Sequence, residues 1–126
     1  MTIAAILGTG RPVYDIDCDA SVRDAVARLA EHRIGALPVT KDGAVVGIMS
    51  ERDVIYCLKS DDAAILDWKV EQVMTAPAIT VTPDVGVLTA LSQMTKRRIR
   101  HLPVVAGDRL IGILSIRDLV KYRIHK

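Results

Sequence analysis

Leu37-Pro38-Val39, followed by Gly47-Ile48-Met49-Ser50-Glu51-Arg52-Asp53, returns as Leu102-Pro103-Val104, followed by Gly112-Ile113-Leu114-Ser115-Ile116-Arg117-Asp118, at a constant offset of 65 residues. The register holds without a gap from Asp19/Asp84 to Ile55/Val120, and Val22/Val87, Ala25/Ala90, Arg33/Arg98, Ile34/Ile99 and Ile48/Ile113 are identical pairs. Self-similarity at a fixed period means two copies of one supersecondary unit, neither of which buries its apolar face alone. The repeat therefore sets the architecture before any single residue is interpreted.

Working outward from the first motif, Ala36 to Thr40 and Val45 to Met49 are β-favouring runs around Lys41-Asp42-Gly43, whose Asp-Gly step predicts a hairpin. Ser50 then starts a helix through Val54, Ile55 and Leu58. Upstream, Ser21 with Asp24 has the form of a capping box, and Val22, Ala25, Val26, Leu29 and Ala30 recur at helical spacing until His32 to Gly35. Val13 to Ile16 reads as extended, after a short opening helix (Ile3, Ala4, Ile6, Leu7) stopped by Gly8 and Gly10. Residues from about 60 to 78 connect the copies, with a short helix over Lys69 to Met74 before Pro77. The second copy repeats the plan: strand Ile79 to Val81, helix Gly86 to Arg98, hairpin His101 to Ser115 turning at Ala106 to Arg109, and a helix to about Tyr122.

Each copy thus reads β-α-β-β-α, an α+β plan with one sheet face left uncovered. Packing the two sheets together with pseudo-twofold symmetry covers both faces and creates any cleft between copies twice. The expected organisation is one module over 1–126, with a first repeat at 8–60, a connecting segment at 61–72 and a second repeat at 73–126.

Composition narrows the classes of function. Half the residues are hydrophobic, yet the chain has no Phe, one Trp (Trp68) and three Tyr, so the core is aliphatic and stacking platforms are nearly lacking. A net charge of +2 argues against nucleic acid or an anionic membrane as the main partner. No apolar run reaches the roughly 18 residues of a membrane span. Cys18 and Cys57 form no C-x-x-C pair and no charged-then-apolar leader opens the chain, which fits a cytoplasmic protein with reduced thiols. His32, His101 and His125 lack metal-ligand spacing, Gly8 and Gly10 make no dinucleotide fingerprint, and no nucleophile–base–orienter set is visible. The expectation is a protein without metal, catalytic cofactor or enzymatic activity.

Ser50 with Asp53, and Ser115 with Asp118, sit at strand-to-helix turns, where free backbone N–H groups and the helix dipole favour phosphate or hydroxyl-rich ligands. Ser-x-x-Asp is equally a capping box that needs no ligand. Both roles are open at this point.

The repeated Leu-Pro-Val and Gly-Ile-Met/Leu-Ser-x-Arg-Asp, with Val73-Met74-Thr75 and Arg98-Ile99-Arg100-His101-Leu102-Pro103-Val104, resemble the cystathionine-β-synthase (CBS) domain, here as the tandem pair called a Bateman module. The resemblance is greatest to small stand-alone prokaryotic CBS-pair proteins. It implies regulatory binding of adenosine-containing ligands (AMP, ADP, ATP, S-adenosylmethionine, NAD or NADH) in clefts between the copies, energy sensing, and a homodimer. With no further domain in these 126 residues, it also implies action on a separate partner.

Carried over residue by residue, one cleft combines Thr9, Arg11, Val13, Ile34, Gly35 and Ala36 with Arg100, His101, Ile113, Ser115, Arg117 and Asp118. Asp118 grips the ribose, and Arg11, Arg100, His101 and Arg117 face phosphates. The second cleft uses Ile48, Ser50, Arg52, Asp53, Met74, Ala78 and Ile99. Where the second copy has Arg100-His101 the first has Gly35-Ala36, so the clefts are expected to differ in affinity, with phosphates preferred at Asp118. The basic run Lys96 to His101 is the one support for the alternative, a structural or nucleic-acid-binding interaction module.

Overall fold

The computed structural model describes every residue except Thr9 and Lys126, and the side chains of all of these but Arg123, Ile124 and His125. In chain order its elements are α1 (Ile3–Leu7), β1 (Ile16–Asp17), α2 (Val22–His32), β2 (Ala36–Lys41), β3 (Ala44–Ser50), α3 (Glu51–Asp61), α4 (Val87–Arg97), β4 (His101–Ala106), β5 (Arg109–Ser115) and α5 (Ile116–His125). Two 3₁₀ segments, Asp62–Asp67 and Val70–Gln72, follow α3. The fold is α+β.

These elements gather into two compact units: Tyr14–Ala78, which is continuous, and a second made of Met1–Val13 with Ile79–Lys126. In the continuous unit β1 runs parallel to β2, and β2 antiparallel to β3 with Leu37 opposite Met49. Asp42 and Gly43 both have positive φ, 51° and 85°, the backbone a two-residue type I′ hairpin turn requires. Ser21 Oγ accepts from Asp24 N–H at 3.1 Å and starts α2, whose Val22, Ala25 and Leu29 are buried against Ile16, Leu37, Val39 and Met49. Ile65, on the first 3₁₀ segment, is fully buried in the same core. Leu66 and Trp68 pack against that core beside it.

The second unit repeats the plan with a different supplement. Leu102, Val104 and Leu114 of the β4–β5 hairpin pack on Val87, Ala90 and Met94 of α4, and the buried residue brought in from outside the repeat is Ile3 of α1. Its hairpin is antiparallel with His101 opposite Ser115, and its register shift between Val104 and Val105 falls at the same repeat position as the shift between Val39 and Thr40. The left-handed residues ending α2 and α4 are also equivalent: Arg33 at φ 52° and Arg98 at φ 54°.

Two expected strands are shorter than the sequence indicated. Val13 to Ile16 yields only Ile16–Asp17, since Pro12 lacks an N–H and leads into the run. Ile79 to Val81 reduces to a single parallel bridge of Val81 with Val104. Pro83 cuts that run short, and the carbonyls of Pro83 and Val85 accept instead from Ala4 and Ile3 N–H at 3.0 and 2.9 Å. The expected helix over Lys69 to Met74 is the 3₁₀ turn Val70–Gln72.

Candidate functional site

Both motif turns are built by the same chemistry. In the second unit, β5 delivers Ser115 in extended conformation to the start of α5; Asp118 N–H donates to Ser115 Oγ at 3.1 Å, while Asp118 Oδ2 accepts from Ser115 N–H at 2.8 Å and from its hydroxyl at 3.0 Å. The continuous unit reproduces this at α3: Asp53 N–H to Ser50 Oγ is 3.2 Å, and Asp53 Oδ2 accepts from Ser50 N–H at 2.8 Å and hydroxyl at 3.0 Å. Each serine caps its helix and each aspartate closes the box. Capping therefore uses one oxygen of each carboxylate and leaves the other to a different partner.

That partner is where the two turns part. Asp118 Oδ1 accepts from Arg11 Nη2 at 2.7 Å, an ion pair whose side chains are 12% exposed for Asp118 and 46% for Arg11. Asp53 Oδ1 accepts instead from the Thr75 hydroxyl at 3.1 Å. Burial is the largest influence on Asp118 and pushes its carboxyl up, but the Ser115 backbone N–H, the hydrogen bond and charge of Arg11, and the Ser115 hydroxyl together hold it below the usual carboxylate range. It is ionised at neutral pH.

Thr75 is absent from the residues expected from sequence. The signal that finds it is the repeat itself: continuing the 65-residue offset upstream aligns Pro12 with Pro77, which sets the stretch before each proline in corresponding places. In the continuous unit that stretch lies along β3, with Ile48 N–H to Thr75 O at 2.9 Å and Thr75 N–H to Ile48 O at 2.8 Å. The approach also explains the glycine of the motif. A Cβ on Gly47 would sit 2.6 Å from Met74 Sδ and 2.8 Å from Thr75 O, and one on Gly112 would sit 3.2 Å from Leu7 Cδ1. At Gly47 the glycine is thus a packing requirement, whereas at Gly112 the neighbour is the end of a flexible side chain.

The remaining expected residues divide between the units. Arg11, Val13, Arg100, His101, Ile113, Ser115, Arg117 and Asp118 belong to the second unit, and Ile48, Ser50, Arg52, Asp53, Met74 and Ala78 to the continuous one. Ile34, Gly35 and Ala36 also lie in the continuous unit and Ile99 in the second; Thr9 lies outside the described residues. Arg100 O accepts from Ile116 N–H at 2.8 Å and His101 faces Ser115 across the hairpin, so this basic pair adjoins the Asp118 turn. At the Asp53 turn the same places are held by Gly35, whose carbonyl accepts from Glu51 N–H at 2.9 Å, and by Ala36 opposite Ser50. Arg52 and Arg117 are exposed on the first turns of their helices.

Two other features of the continuous unit are of a different character. A groove of about 480 Å³ lies along β1 and α2, lined by Asp15, Asp17, Asp24 and Glu31 with Arg28 and Thr40. Its excess of carboxylates repels phosphate, and Arg28 and Thr40 are already bonded to Asp15. Among the described residues one trio of potential metal donors, on Asp17, Cys18 and Asp19, lies within 4.8 Å. Asp17 accepts from Asp19 N–H, Asp19 pairs with Lys69 at 3.4 Å, and burial, with the charges of Asp19, Asp17 and Glu71, pushes the Cys18 thiol up, which disfavours the thiolate a metal needs.

The CBS domain matches this chain twice, over residues 7–60 and 70–125. The chain is 40% identical over 113 residues to the mitochondrial CBS domain-containing protein CBSX3 of Arabidopsis thaliana, an alignment covering 86% of this chain and 55% of that protein, so it spans about half the length of that relative. The CBS domain pair of protein MJ0100, solved with 5′-methylthioadenosine and S-adenosyl-L-methionine, is similar at 26% identity with a TM-score of 0.89, covering 99% of this chain and 97% of that one. CBSX2, solved with AMP, is similar at 25% identity with a TM-score of 0.84, covering 98% and 96%. Among the described residues no helix is long and apolar enough to cross a membrane.

Proposed function

Since this chain belongs to the CBS-domain family, of which it carries two copies, we propose that it is a non-catalytic regulatory module that binds an adenosine-containing ligand at each capped turn and transmits occupancy to a separate partner. The observation that carries this reading is the split use of each carboxylate. One oxygen of Asp53 and of Asp118 is fixed by the serine cap, so the other is held in place at a helix start, where ribose hydroxyls can take the place of the Thr75 hydroxyl or of Arg11. A hydrogen bond to a charged acceptor contributes about 1.5–3 kcal/mol. Two similar structures, one solved with AMP and the other with methylthioadenosine and S-adenosylmethionine, support an adenosine-containing ligand here.

Charge distinguishes the two turns. Arg11, Arg100, His101 and Arg117 belong to the unit of Asp118, whereas Gly35 and Ala36 stand beside Ser50, so the Asp118 turn is the one suited to AMP, ADP or ATP. Ile113, Val13, Ile48, Met74 and Ala78 supply the apolar surface for adenine, with Ile34 and Ile99 as further members of the set. A ligand can report its presence only through differential affinity for two arrangements of the protein. The same reading includes a homodimer, supported by the exposed apolar residues Ile55 (60%) and Tyr56 (65%) on α3, and sedimentation velocity tests it.

A thermal-shift screen with AMP, ATP, S-adenosylmethionine, NAD and NADH tests the reading. At about 100 times Kd the bound form gains about 2.7 kcal/mol, a midpoint rise on the order of 10 °C for a chain this size. No shift with any of the five overturns it.

A further inference from the structure

The Asp118 carboxylate is nearly saturated within its own unit. A carboxylate offers about four lone-pair positions. Oδ2 accepts from the Ser115 N–H and hydroxyl at 2.8 and 3.0 Å, and Oδ1 from Arg11 at 2.7 Å. One position is left, while the cis-diol of a ribose brings two donors. A ligand that engages this carboxylate through both hydroxyls must therefore displace Arg11. The Asp53 carboxylate presents the same count with the Thr75 hydroxyl in place of the guanidinium.

The two displacements differ in kind. Thr75 gives up a neutral donor contact, and its exposed hydroxyl recovers a bond from water. Arg11 gives up a charge-assisted bond to a largely buried oxygen and leaves with a full positive charge. A phosphate on the incoming ligand restores what is lost, because a guanidinium binds phosphate in the same forked geometry as carboxylate. A neutral nucleoside, or one carrying a sulfonium cation, offers Arg11 nothing in exchange.

We propose, resting on the adenosine-ligand reading of this turn, that Arg11 is a specificity-determining residue. It occupies the ribose-accepting carboxylate of Asp118 and yields it to a ligand whose phosphate takes over the guanidinium, so this turn selects nucleotides over uncharged and cationic adenosine derivatives. The Asp53 turn, guarded by a hydroxyl, makes no such selection. Nearly half the Arg11 side chain is already exposed, which leaves it room to turn from carboxylate to phosphate.

The test is isothermal titration calorimetry of the full chain carrying Asp53→Asn, which weakens the other turn, with AMP and adenosine as the two probes, before and after Arg11→Met or Arg11→Lys is added. The parent should prefer AMP. Arg11→Met should cut the AMP-to-adenosine affinity ratio roughly ten- to a hundredfold while adenosine binds as well or better, and Arg11→Lys should keep part of the ratio. A parent that binds both probes equally, or an unchanged ratio in Arg11→Met, overturns the role of Arg11 and leaves the adenosine reading standing. Should Arg11→Met not fold, an Arg11→Lys protein that keeps the parental AMP-to-adenosine ratio in full decides against it. A parent that binds neither probe removes the reading of the turn and the role of Arg11 together.

Discussion

Replacing Gly47 and Gly112 by alanine, one at a time, should separate two positions that the sequence presents as equal. Neither glycine has positive φ, so alanine fits the backbone at both, and the entropy withdrawn from the unfolded chain favours folding by about 0.4–1 kcal/mol. At Gly47 the new methyl carbon would lie 2.6 Å from Met74 Sδ and 2.8 Å from Thr75 O. The methionine can turn away. The Thr75 carbonyl cannot, because Ile48 N–H holds it at 2.9 Å and Thr75 N–H holds the return bond at 2.8 Å. Relief requires the paired segment to move off β3, a form of overpacking that costs about 1–3 kcal/mol. The net loss is about 0.5–2 kcal/mol, a fall in the thermal midpoint on the order of 5 °C. At Gly112 the nearest atoms are the two methyls of Leu7, at 3.2 and 3.8 Å, on the end of a flexible side chain. There the cost and the entropic gain should nearly cancel, to within about 0.5 kcal/mol. Urea denaturation of the wild type and both variants measures the difference through the midpoint at unchanged slope. Equal losses in the two variants, or a Gly47→Ala protein as stable as the wild type, refutes the account of the motif glycine.

The Arg11–Asp118 pair carries a pH signature. A carboxyl held below its ordinary value in the folded chain contributes its stability in full above that value, about 3.9, and loses it as the pH falls through the folded value. The stability gap between wild type and Arg11→Met should therefore be constant at neutral pH and close below about pH 4, and a gap that persists undiminished to about pH 2 contradicts the pairing. Calorimetry with AMP on Asp53→Ala and Asp118→Ala should return unequal affinities, since the cations adjoin Asp118; equal values would place the phosphate preference elsewhere.

The repeat, the two hairpins and the principal helices were legible because each is written locally: Asp42-Gly43 fixes a turn, Ser21 and Ser50 fix helix starts, and the stripe Val22, Ala25, Leu29 fixes a buried face. What escaped is non-local. Arg11 could be read as a phosphate-facing cation, but its partner stands 107 positions away, and no periodicity connects them. Thr75 stood out only as part of the Val73-Met74-Thr75 marker placed in the second repeat, since nothing in its own neighbourhood shows that it joins β3. Ile65 is the one fully buried residue of the short apolar run Ala63-Ala64-Ile65-Leu66, which is too short to register as a period. The glycines of the motif were legible as a recurrence and not as a cause, since the atoms that crowd Gly47 and Gly112 come from segments outside the motif.

Because the segment before each proline joins a hairpin other than the one that follows it, the order in which the protein is made differs from the order in which it can close. Tyr14–Ala78 draws its unit from one continuous stretch, while Met1–Val13, made before it, must wait for the β4–β5 hairpin. These residues are the keystone of a unit whose other members come from the far end of the sequence: Ile3 has no core to enter, and Arg11 no carboxylate to guard, until Asp118 exists. Cutting the gene at the apparent repeat boundary would part Met1–Val13 from the unit it completes, whereas cuts at Tyr14 and Ala78 keep every residue of the continuous unit together.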